Sequence, residues 1–164
     1  MLLVKMRSVI YSLVNQRFGP LSKHIGEFVM DDIFEGLEIP ERVGMLESSE
    51  RRDCKDGDIV IEEGARNVAI YAILDGEVKV MLGLGDKSVE VACLGPGAIF
   101  GEMSFLSHTT ASASIVAAGD VELICVSHEH IAGMIERDPG FAGRFYHSLA
   151  RTLAERLRIA NQRS

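Results

Sequence analysis

Gly95-Pro96-Gly97-Ala98-Ile99-Phe100-Gly101-Glu102-Met103-Ser104-Phe105-Leu106 is the stretch on which the reading of this chain turns. It sets a glycine-rich bend ahead of a short helix that the pattern predicts to begin near Gly101, inside a run of strand-like segments. The first N–H groups of a helix have no partner within it and carry partial positive charge, so such a start suits a phosphate. Glycine lets the backbone approach a ligand with no side chain between them. Taken alone, the peptide has two readings, an anion cradle or a tight turn in a core.

On both sides the residues alternate or run apolar in short segments. Asp56-Gly57-Asp58 reads as a turn, and Ile59-Val60-Ile61 as a short strand ended by Gly64. Residues 69–74 form another strand, and Asp75-Gly76 joins it to 77–82; a DG pair between two such runs predicts a hairpin. Strands over 89–94, 112–116 and 121–126 follow. About eight short strands punctuated by glycine predict a mainly β sandwich, barrel or jelly roll. Helices flank it. Residues 1–46 show an interrupted helical pattern, with breaks at Gly19-Pro20 and Gly36 and a short helix opened by Pro40. Ser127 caps a helix running to Arg137, which Asp138-Pro139-Gly140 is expected to end. Residues 141–162 make the longest helix, with Phe145, Leu149, Leu153, Leu157 and Ala160 as one apolar stripe. No repeat or long linker is visible. The expectation is one structural domain in three parts: a helical segment 1–46, strands 47–126 and terminal helices 127–164.

The 164 residues, 47% apolar and 25% charged, suit a globular domain with a buried core and exclude a disordered chain. A net charge of −7 argues against general affinity for nucleic acid. The charge is uneven: residues 140–164 hold five arginines (Arg144, Arg151, Arg156, Arg158, Arg163) and one acid, Glu155, so they carry +4 and the first 139 residues −11. Such a basic helix can seek phosphate, an acidic partner or the acidic body of its own domain. Cys54, Cys93 and Cys125 cannot pair fully and show no CxxC spacing, so they read as free, buried thiols in a reducing compartment. The apolar start of the chain is broken by Lys5, Arg7 and Ser12 and lacks a cleavage site. It reads as an amphipathic helix, with a cytoplasmic location and no membrane partner expected.

No GxSxG, HExxH or P-loop lysine motif occurs, and no catalytic residue is assigned. His128-Glu129-His130 looks like the ligand pair of a cupin-like jelly-roll metalloenzyme. At a predicted helix start, however, its imidazoles diverge by about 200°, and His24, His108 and His147 are not spaced to complete a site. Neither a metal nor an obligatory cofactor is expected. A helix-turn-helix would have to follow the last helix, and the sequence ends at Ser164, so no nucleic-acid partner is expected either.

Several glycines recur at matching intervals with the cassette: Gly57-Asp58-Ile59-Val60-Ile61 with Glu63-Gly64, then Tyr71-Ala72-Ile73-Leu74-Asp75-Gly76-Glu77-Val78-Lys79-Val80, then Gly95-x-Gly97-x-x-Phe100-Gly101-Glu102, then Ala113-Ser114-Ile115-Val116-Ala117. Over about residues 34–160 this resembles the cyclic-nucleotide-binding domain family of catabolite-activator-type regulators, kinase regulatory subunits and gated channels. The resemblance implies a jelly-roll type β-roll, a double-stranded β-helix with amino-terminal helices and a long carboxy-terminal helix that closes over ligand. It also implies a phosphate-binding cassette within 95–117.

By that resemblance Glu102 accepts from a ribose 2′-hydroxyl, and the amides of Ser104 and Ser112 meet phosphate oxygens. Gly101, Met103 and Ala111 complete the cassette's contact set. Ile99 and Phe100 lie beside the pocket, and Leu153, Arg156 and Leu157 lie on the part of the last helix that faces the base. One position departs from the family pattern. Nine residues after Glu102, where the family has the arginine that pairs with the cyclic phosphate, stands Ala111, preceded by Thr110 instead of the usual proline; no arginine lies between Arg66 and Arg137. Cyclic AMP or cyclic GMP is therefore expected as a weakened effector, with His108, Thr109 and Thr110 as candidate substitute donors. Two roles remain open: a sensor of a cyclic nucleotide or related small anion, and a binding-incompetent scaffold for a protein partner. A homodimer through the last helix is expected in either case.

Overall fold

The computed structural model describes residues 34–83 and 85–162, together with Ser12, Asn15, Gln16 and Gly19. Ser12, Asn15 and Gln16 are helical; the other expectations for residues 1–33 lie outside the described residues. From Ile39 onward the described α-helices and strands follow in order: α1 (Ile39–Glu47), β1 (Glu50–Cys54), β2 (Ile59–Ile61), β3 (Ala69–Leu82), β4 (Val89–Leu94), β5 (Ile99–Phe100), α2 (Glu102–Ser107), β6 (Ser114–Ser127), α3 (His128–Arg137) and α4 (Pro139–Gln162). The strands pair antiparallel in the order β1-β6-β3-β4, with β2 added to β6 and β5 to β3. This is the expected β-roll with flanking helices.

Period-two alternation divides the core. Ile70, Ala72 and Leu74 of β3 and Ile124 and Val126 of β6 face the helices, meeting Met45, Phe105, Ile131, Phe141, Phe145 and Leu149. Ala69, Tyr71 and Ile73, with Leu123, face into the roll with Val60, Ile61, Val78, Phe100, Ala111 and Ile115. Both faces of the strand pair are buried, which is why residues 69–74 read as an unbroken apolar run.

The expected hairpin at Asp75-Gly76 is not formed. Residues 69–82 are one fourteen-residue strand, and the two strands expected over 112–126 are likewise one, which brings eight expected strands to six among the described residues. The register of β3 against β6 shifts between Ile73 and Asp75 and again between Asp75 and Glu77. Gly76 (φ +82°) and Gly119 (φ +87°) adopt left-handed backbone beside these shifts. The glycine signal was sound, but it marks a bulge that bends a continuous strand, since a left-handed residue serves either geometry.

At the carboxy-terminal end, Ser127 Oγ accepts from the His130 N–H at 3.1 Å, the expected cap of α3. Pro139-Gly140 does not merely end α3. Asp138 Oδ1 accepts from the Gly140 N–H at 2.9 Å, and Pro139 is the first residue of α4, where its missing N–H costs nothing. The expected stripe of α4 divides: Phe145 and Leu149 are wholly buried, Leu153 is half-buried and Leu157 is 62% exposed. Near its start, Arg144 Nε donates to both oxygens of the buried Glu41 carboxylate at 2.9 and 3.1 Å, tying α4 to α1. Cys54 is buried as expected, whereas Cys93 is exposed and Cys125 half-buried; all three are free. Among the described residues no helix is long and apolar enough to cross a membrane.

Candidate functional site

The bend at Gly95-Pro96-Gly97 is fixed by backbone pairing to β3. The Gly97 N–H donates to the Ile73 carbonyl at 2.9 Å, and the Ile73 N–H returns to the Ala98 carbonyl at 2.9 Å. The chain then runs as β5, with Phe100 opposite Tyr71 and Ile99 opposite Ala72. The Tyr71 and Phe100 rings stack at 5.0 Å. Gly101 caps α2 in a left-handed conformation (φ +85°), and a Cβ there would lie 2.6 Å from the Ala69 carbonyl oxygen. No other residue fits this close approach without strain. Asn67 Nδ2 locks the joint by donating to the Ala69 carbonyl at 2.7 Å and the Gly101 carbonyl at 3.2 Å.

One turn on, Phe105 drops into the helix-side core, with its ring edge-on to Phe145 at 5.8 Å and to His128 at 5.0 Å. This anchors the six-residue α2 so that Glu102 and Ser104 turn inward, at 2% and 8% exposure. The chain returns with Ala111, whose N–H donates to the Ala65 carbonyl at 2.9 Å and whose carbonyl accepts from Gly64 at 2.8 Å.

These pieces enclose a cup of about 100 Å³, walled by Gly101, Glu102, Met103, Ser104, Ala111 and Ser112, with Ile61, Val80, Leu94, Phe100, Ala113 and Ile115 behind them. The remaining wall is Arg156 of α4. Its guanidinium donates to the Glu102 carboxylate through one terminal nitrogen and to the Ile99 carbonyl through the other. A carboxylate so far from water needs a cation or several donors, and Arg156 meets that need across 54 positions of sequence. On the other side of Arg156 lies a larger cleft of about 610 Å³ between α4 and residues 97–99, which Arg156 also lines.

The six cassette residues singled out from sequence thus converge on one space, joined by Phe100 and Arg156. Ile99 is buried behind it and contributes its carbonyl. Leu153 and Leu157 do not line the cup. Thr110, His108 and Thr109 open onto a separate cavity of about 600 Å³ with Arg66, Asn67 and His128, so they are not placed to replace an arginine at position 111. His128 and His130 occupy the first turn of α3, and among the described residues no three His, Cys, Asp or Glu side chains are grouped to hold a metal ion. The pairing of Arg156 with Glu102 was not read from sequence. A signal existed: positions 152, 153, 159 and 160, the helical neighbours of Arg156, are Thr, Leu, Ile and Ala, so no acid on α4 can pair with it.

Comparison with known proteins agrees with this construction. The cyclic nucleotide-binding domain model matches residues 51–138, more than half of the chain. The cyclic AMP receptor protein of Thermus thermophilus is 38% identical over 131 residues, 79% of this chain and 58% of that protein. The cAMP-dependent protein kinase type II regulatory subunit of Drosophila melanogaster is 29% identical over 89 residues, 54% of this chain and 24% of that protein. The chain therefore spans only part of either relative. In fold it matches the crystal structure of a cyclic nucleotide-binding domain from Methylobacillus flagellatus, with a TM-score of 0.73 over 97% of this chain and 82% of the other, at 23% identity. With the cup built from the same cassette that the family model spans, the chain belongs to the cyclic nucleotide-binding domain family.

Proposed function

We propose that the chain is a non-enzymatic sensor module of the cytoplasm in which cyclic AMP, cyclic GMP or a related small anion enters the cup and biases the position of α4. The observation that carries this reading is the Glu102 carboxylate, 2% exposed, in the wall of a cup to which α4 contributes Arg156. A ribose hydroxyl can donate to that carboxylate. A ligand that binds one position of the helix more tightly shifts the population toward it by that difference in affinity.

Two features set the expected strength. Position 111 offers no cation, and a hydrogen bond to a charged group contributes about 1.5–3 kcal/mol, so the cassette by itself is expected to hold phosphate roughly ten- to 150-fold more weakly than one with an arginine there. The cup of about 100 Å³ is also smaller than the roughly 300 Å³ at which small-molecule pockets begin. Ligand must open it toward the neighbouring cleft. The same two features favour a second reading, a scaffold that binds no nucleotide and acts through a protein partner.

Thermal denaturation with cyclic AMP, cyclic GMP and inorganic phosphate separates the two readings. A ligand at 100 times its dissociation constant stabilises the fold by about 2.7 kcal/mol. A sensor melts measurably higher with a cyclic nucleotide at millimolar concentration; no shift with either nucleotide supports the scaffold. In both readings we propose that the outer half of α4, with Leu157 62% and Ile159 42% exposed, pairs with a second copy of the chain.

A further inference from the structure

We infer, resting on the sensor reading above, that Arg156 supplies the counter-charge for the effector's phosphate, delivered by α4 in place of the arginine that the cassette lacks at Ala111. Of the four described arginines of α4, three meet acids outside the cassette: Arg144 meets Glu41, Arg151 meets Glu35 and Arg158 meets Glu155. Arg156 alone among them reaches Glu102. Among the described residues it is also the only cationic side chain that lines the cup. Lys79 of β3 is held at 3.3 Å by Glu90 and does not line the cup.

The electrostatics follow from these placements. An anion entering a space that already holds a buried carboxylate is repelled unless a cation enters with it. Arg156 has five N–H donors in a rigid fork and uses one terminal nitrogen on Glu102 and the other on Ile99. It stands in the wall shared by the cup and the 610 Å³ cleft, so a ligand that spans both must displace it. A sugar hydroxyl donating to one Glu102 oxygen takes over part of its role there, and the shifted guanidinium lies between the two anions, with N–H groups on the carboxylate and on phosphate. One cation then serves both charges. Because the cation belongs to α4, tight binding requires that helix to be docked, and occupancy and helix position become one equilibrium.

Calorimetric titration of cyclic AMP and cyclic GMP into the wild type, Arg156→Gln, Ala111→Arg and the double variant tests this, with melting curves of each ligand-free protein as the check on folding. Arg156→Gln is expected to bind about ten- to 150-fold more weakly, and adding Ala111→Arg to it to restore at least tenfold, because either position can present the cation. Arg156→Gln binding as tightly as the wild type, or more tightly, overturns the inference and leaves the sensor reading standing with Arg156 as a plug. A loss that Ala111→Arg does not restore overturns it as well. If no variant binds either nucleotide, Ala111→Arg included, the sensor reading falls together with it.

Discussion

The fold takes Glu102 out of water and His128 partly so, and the two respond differently. Glu102 is met by a full cation on α4. The His128 imidazole is held neutral: burial pushes its pKa below the usual 6.5, the carbonyl of Ala69 opposes that shift, nearby His108 reinforces it, and the Gly101 carbonyl again opposes it. In the unfolded chain the same imidazole takes up a proton near pH 6.5. On acidification below that value the unfolded state binds more protons than the folded one, so stability falls with falling pH. Urea denaturation midpoints at pH 7.5 and 5.5 should therefore drop more for the wild type than for His128→Phe, which keeps an aromatic ring against Phe105; equal drops would mean that another group carries the dependence. At this scale the sequence was informative where residues are covalent neighbours of the cassette. Glu102 and Ala111 could be placed by counting along the chain. For Arg156 the resemblance indicated only the ligand-facing part of the last helix, and its pairing with Glu102 could not be read, because contact between groups some fifty residues apart is set by packing and not by spacing.

At the scale of elements, the paired bends of β3 and β6 make the roll. A Cβ added at Gly76 would lie 2.3 Å from the Asp120 carbonyl oxygen, whereas one added at Gly119 would meet nothing within 4 Å, although both residues are left-handed. Gly119→Ala should cost about 1–2 kcal/mol for the backbone conformation alone. Gly76→Ala should cost clearly more, because backbone must move away from backbone. Chemical denaturation of the two variants measures the difference, and equal costs would show that the bend tolerates separation of the strands. The Asp75-Gly76 pair also shows how far local pattern reaches. A left-handed glycine between two apolar runs is compatible with a hairpin or a bulge, and only the presence of β6 alongside both halves of β3 selects the bulge. The cap at Ser127 needed no such arbiter, since its partner is three residues away.

Over the whole molecule, the basic terminal helix finds much of its countercharge within its own chain. Arg144 pairs with buried Glu41, Arg151 with Glu35 at 3.2 Å, and Arg156 with Glu102, so the acidic body of the domain is a partner of α4 in fact. The inner half of the helix is committed to the core through Phe141, Phe145 and Leu149, and the outer half leaves Leu157 and Ile159 in solvent. Light scattering at tens of micromolar is expected to give a dimer that Leu157→Arg dissociates; a monomeric wild type would defeat the proposed pairing.

The sequence by itself determined the alternation that makes the strands, the glycines at the bends, the Ser127 cap and the composition of the peptide that walls the cup, with alanine at position 111. Each depends on residues within a few positions of one another, where backbone geometry fixes who can meet whom. Tertiary structure alone decided that β3 and β6 are continuous and that Arg156 pairs with Glu102. Those outcomes depend on which distant surfaces are buried together, and the free energy of that burial is a property of the packed whole and is carried by no short segment.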